Sequence, residues 1–163
     1  MKAIRLNKSI EVFFVIMIII GLCISAVVLM DAGKKAYGRI LENNTQLENA
    51  RIALSYLGMR VRQNNELDGV IYMSEAIDGS NAVKLTHSGD LEGMVTYIYF
   101  KEGELRELFT WAGSEPDPEF SEVIVALNGL DIEKGGGYLK FTAQYMEDGA
   151  VKSLEQIVGV IGD

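Results

Sequence analysis

Nineteen residues near the start of the chain, Val12–Met30 (VFFVIMIIIGLCISAVVLM), contain no charge, and thirteen of them are Val, Ile, Leu or Phe. As a helix the run measures about 28 Å at ~1.5 Å per residue, close to the roughly 30 Å hydrocarbon core of a bilayer. Each of the thirteen contributes about −0.3 to −0.6 kcal/mol at mid-membrane, roughly −4 to −8 kcal/mol together. Gly21, Cys23, Ser25 and Ala26 do not offset that. The expectation is a single transmembrane helix at 12–30, a short cytoplasmic tail at 1–11 and one tethered domain beyond it.

A secretory signal peptide shares the basic start (Lys2, Arg5 and Lys8) but has a shorter apolar core and a small-x-small cleavage site. The best cut, after Ala32, has Met30 at the upstream position and fits poorly. A lipoprotein signal needs a small residue before its cysteine, whereas Cys23 follows Leu22. Both fit less well than an uncleaved anchor. Lys34, Lys35 and Arg39 after the span balance the three basic residues before it, so charge bias alone does not orient the helix. The short N-terminal tail favours the N-terminus inside and the domain outside: a single-pass protein of the cell membrane.

Charge follows the same division. Residues 1–30 carry three basic groups against Glu11, so the remainder holds −10 within a chain of net −8. Nucleic-acid binding needs clustered Lys and Arg, and such a domain lacks that footprint. The sole cysteine lies in the apolar run, which excludes an intramolecular disulfide.

Beyond the run, Leu47, Ala50, Leu54, Leu57 and Val61 keep a 3-4-3-4 rhythm, with Ile40 earlier on the same pattern. The spacing predicts an amphipathic helix over 31–65, with Gly33 and Gly38 as soft points. After Asn65 the pattern becomes short runs rich in aromatic and β-branched residues: Val70–Ala76, Ala82–Thr86, Met94–Phe100, Leu105–Trp111 and Tyr138–Met146. Turn signals at Asp78-Gly79-Ser80, Ser88-Gly89-Asp90, Glu102-Gly103 and Asp148-Gly149 separate them. Such turns make the strands of 66–163 antiparallel. Val151–Ile161 reads as a closing strand or short helix. The 112–137 segment reads as a long loop, with one short strand at Glu122–Leu127. The fold class is α+β, a long N-terminal helix packed on a small antiparallel sheet.

Residues that could carry chemistry are few. His87, the only histidine, reads as a turn residue at a strand end. No second His and no extramembrane Cys accompany it for a zinc site, and no G-x-S-x-G turn for a triad. Glu115, Asp117, Glu119 and Glu122 lack the spacing of an EF-hand calcium loop and read as a solvated acidic loop. Gly135-Gly136-Gly137 has no following Lys-Ser/Thr for a phosphate cradle. No catalytic, metal or cofactor-binding residue is assigned, and no small-molecule substrate is evident. Tyr97, Tyr99, Phe109, Trp111, Phe141 and Tyr145 read mainly as packed strand faces, with an exposed patch as the alternative for some. Glu11, at the mouth of the span, is the one oddly placed carboxylate. It is a headgroup-level residue balanced by Lys8 or a subunit-pairing charge in a membrane assembly.

The layout of basic tip, apolar helix, amphipathic continuation and antiparallel sheet resembles that of pilins and pseudopilins. More closely, A-L-S-Y-L-G-M-R-V-R-Q-N at Ala53–Asn64, D-G-V-I at Asp68–Ile71 and I-Y-F-K-E-G-E-L-R-E-L-F at Ile98–Phe109 resemble a family of Firmicute pilin-like membrane proteins with the domain label DUF4860. The resemblance implies a structural or accessory subunit of a type IV pilus-like or type II secretion-like assembly. Its partners would be other such subunits, and the family supplies no catalytic residues. Pilin precursors are cut after a small residue, with Glu at the fifth place of the mature chain. Counting back from Glu11 puts Leu6 before the cut, which departs from that pattern. The chain then either keeps its leader as a plain anchor or meets a different peptidase.

Overall fold

The structure is a computed structural model that describes residues 2–66 and 69–161, with the side chains of 2–7 outside the description. The side chains of Lys2 and Arg5 of the basic tip, and Asp68 of the D-G-V-I motif, therefore lie outside the description.

Helix α1 spans Lys2–Gln63 and is helical through Gly33 and Gly38, the expected soft points. The chain divides into two compact units, residues 1–42 and 43–163. In the first, Val12–Met30 is exposed along its length, and so is Glu11. Among the described residues one helix is thus long and apolar enough to cross a membrane, a test of length and composition that a signal sequence near the N-terminus also passes. Ser25 Oγ donates to the Gly21 carbonyl at 2.8 Å, so the run's hydroxyl is satisfied within the helix. Ile40, placed on the amphipathic stripe by its spacing, is exposed.

In the second unit the stripe does what its rhythm predicts. Ala50, Ala53, Leu54, Leu57 and Val61 are buried, and Leu47 packs beside them. Among the described residues, eight strands in two sheets follow that half of the helix. The first five form one antiparallel sheet in chain order: β1 (Val70–Ile77), β2 (Ser80–Thr86), β3 (Met94–Lys101), β4 (Glu104–Trp111) and β5 (Glu122–Ala126). A second sheet holds β6 (Gly129–Gly135), β7 (Tyr138–Glu147) and β8 (Ala150–Gly159), so the closing stretch is a strand. The α+β class stands, with the strands shared between two sheets. Val83, Leu85, Ile98 and Leu105 of the first sheet and Leu139, Phe141 and Ala143 of the second close on the helix in one core.

Three hairpins use the turns their sequences signalled. Asp78-Gly79, Glu102-Gly103 and Asp148-Gly149 all have positive φ at both positions, as a two-residue type I′ connection requires. Side-chain amides fix both ends of the buried helical half. Met146 N–H donates to Gln46 Oε1 at 2.8 Å, and Ile161 N–H donates to Asn65 Oδ1 at 2.8 Å.

Strand β6 lies inside the expected long loop. Its sequence, GLDIEKG, offers only Leu130 and Ile132 as apolar residues between glycines. Pairing with β7 over seven positions, from Gly129↔Gln144 to Gly135↔Tyr138, supplies what local propensity does not.

Candidate functional site

The first sheet has two unlike faces. Tyr97, Tyr99 and Leu108 point away from the helix into a second, smaller core with Ile77, Ala82 and Val95. Thr96, Ile98, Glu107 and Phe109 alternate with them and share the helix side. Ile98 is covered by the helix, but towards Thr96 and Phe109 the sheet opens into a cleft of about 510 Å³. Its size is that of a small-ligand pocket.

Arg60, in the last turn of α1, forms one wall and ion-pairs with Glu107 of β4. Tyr56 Oη also donates to Glu107, and Arg60 Nε donates to Tyr56 Oη at 3.1 Å. The guanidinium carbon sits 5.4 Å from the Tyr56 ring centroid, a cation–π contact. Positions 56 and 60 are one helical turn apart, so both reach the same strand residue. Glu107 and Glu122 are direct cross-strand partners on β4 and β5, and Glu122 also lines the cleft. Burial, and then the Glu122 charge, push the Glu107 carboxyl above its ordinary value.

The opposite wall begins at His87, just past β2. Its Nε2 lies 2.7 Å from Oγ1 of the buried Thr96, and its ring meets Phe109 edge-on at 5.6 Å. Partial burial, and then Arg60, lower the His87 pKa, which favours the neutral ring. The expected turn histidine thus has its ring in the cleft wall. Leu91, Phe109 and Phe120 complete the lining, and all three are exposed large apolar residues, Phe120 at 76%.

The aromatics named from sequence sort into two sets. Tyr97, Tyr99, Phe141 and Tyr145 are packed, while Phe109 and Trp111 form exposed surface. The acidic loop does not converge. Asp117 caps the 3-10 turn Pro118–Phe120 by accepting from Glu119 N–H at 3.0 Å, whereas Glu122 belongs to the cleft. Among the described residues no three of His, Cys, Asp or Glu come together as a metal set. Glu11 lies on α1 in the other unit.

Sequence reasoning missed Tyr56, Arg60, Thr96 and Glu107 as a group. The available signal was Glu107, a carboxylate in phase with Leu105 and Phe109 on the inward face of a strand.

No curated protein and no solved structure matches the chain. A family model described as "Domain of unknown function (DUF4860)" matches residues 48–146, from the buried half of α1 into β7 and across every cleft residue. The chain belongs to the DUF4860 family.

Proposed function

We propose that this protein is a non-enzymatic structural or accessory subunit of a type IV pilus-like or type II secretion-like envelope assembly. It is held in the cell membrane by Val12–Met30, with the N-terminus inside and the β-rich domain outside. The observation that carries this reading is the pairing of two surfaces along α1. One half is apolar and exposed, while the other half carries the stripe that organises the domain's core. In a bilayer, apolar helices associate through close packing and polar contacts; Gly21 and Ser25, four apart, leave the backbone open on one side. Glu11 supplies a charge at the mouth of the span, able to pair with a basic residue of a neighbouring subunit.

The test is co-purification from detergent-solubilised membranes. Glu11→Lys should lose partner subunits while the domain keeps its near-ultraviolet circular dichroism; retention of every partner would remove the support for an assembly role. The cleft favours a second reading, a membrane-tethered extracytoplasmic binding domain, in which partner or ligand binding survives that substitution.

A further inference from the structure

We infer that the cleft between the end of α1 and strands β3–β5 binds an organic cation: an alkylammonium or guanidinium group on an apolar stem, seated against Glu122 with its stem on Phe109 and Phe120. The inference concerns the domain alone and is independent of any assembly role.

Charge is the first support. Three charged groups line the cleft, Arg60, Glu107 and Glu122. Arg60 is committed to Glu107 and lies against Tyr56, which leaves Glu122 as the unneutralised charge. Like charges directly opposite on neighbouring strands destabilise a sheet, and with Glu107 already held by Arg60 and Tyr56, a cation seated on Glu122 neutralises the outer member of the pair. Burial and the Arg60 charge disfavour a positive charge on His87. The domain's −10 also draws cations and repels anions.

Shape and surface are the second support. Phe109 is 49% exposed and Phe120 is 76% exposed beside these carboxylates. An aromatic ring next to an acid suits a ligand that is apolar along its stem and cationic at its head, because the ring face attracts the cation and buries the stem. Such a group could belong to a free amine or to a Lys or Arg side chain of a partner protein.

The probes are n-butylammonium, butanol and butyrate, with the capped peptide Ac-Leu-Lys-Leu-NH2 and its norleucine counterpart. Each is titrated into the full chain in zwitterionic nanodiscs, with the amide resonances of Glu107, Phe109, Phe120 and Glu122 followed by NMR. Butylammonium should bind about tenfold or more tightly than butanol, with butyrate weaker still. Glu122→Gln, at an exposed position, should weaken the ammonium by about tenfold and leave butanol unchanged. A peptide that binds more tightly than butylammonium, and loses that advantage with norleucine, assigns the cation to a partner's side chain. The reverse order assigns it to a free amine. Equal binding of ammonium and butanol, no effect of Glu122→Gln, or no shift with either cation overturns the inference.

Discussion

Glu107 of β4 and Glu122 of β5 stand directly opposite each other, and Arg60, forty-seven residues before Glu107, neutralises only the inner one. This ties the last turn of the helix to β4, the strand next to the edge of the sheet. Arg60→Ala leaves a half-buried carboxylate without its counter-ion and should destabilise the domain by about 1–3 kcal/mol. Glu107→Gln keeps an acceptor for Tyr56, removes the repulsion, and should cost less. Thermal unfolding followed by the near-ultraviolet signal of Trp111 measures both, and equal losses would contradict the pairing.

The same groups set opposing pH dependences. The Glu107 carboxyl is raised, so the folded state binds its proton more tightly than the unfolded state does. Its contribution is most favourable below the ordinary value of 4.5 and declines as pH rises from there through the folded pKa. His87 is lowered, so its neutral ring contributes fully above 6.5, and that contribution is lost as pH falls from 6.5 through the folded pKa. Stability–pH curves of Glu107→Gln and His87→Gln, subtracted from that of the unaltered protein, should slope in opposite directions across these two windows. Parallel differences would rule out this arrangement.

The buried stripe carries the core. Leu57 is fully buried between the two sheets, and Leu57→Ala should cost about 2–5 kcal/mol. Ile52, on the exposed side of the same helix, should give a change within about 0.5 kcal/mol on replacement by Ala. Comparable shifts in midpoint temperature would show that the stripe is misassigned.

Gly69 makes a close backbone approach. A Cβ there would fall inside contact distance of the Asn64 carbonyl oxygen, whereas one on Gly136 meets nothing within 4 Å. Gly69→Ala should therefore destabilise by about 1–3 kcal/mol, and Gly136→Ala should be near neutral. Thermal midpoints separate the two.

Much of the fold was legible because local signals agreed with the tertiary outcome. The 3-4 spacing of Leu47–Val61 became the buried stripe, and three X-Gly pairs became type I′ hairpins. Strand β6 was hidden because its two apolar residues make too weak an alternation, and its pairing with β7 is a tertiary event. The cleft was hidden for a related reason. Tyr56 and Arg60 meet Glu107 only after the helix is laid on the sheet, and Glu107 meets Glu122 only through the β4–β5 register. Ile40 followed the helical rhythm yet is exposed, since periodicity reports which face a residue occupies and not whether that face is covered.

The most direct test of the assembly role is a cysteine scan of 12–30 in a Cys23→Ser background, cross-linked in native membranes. The account predicts cross-links to neighbouring subunits that recur every three to four residues, as one helix face packs against a partner. Cross-linking no greater at any of these positions than at a cysteine placed at exposed Asn128 would contradict it.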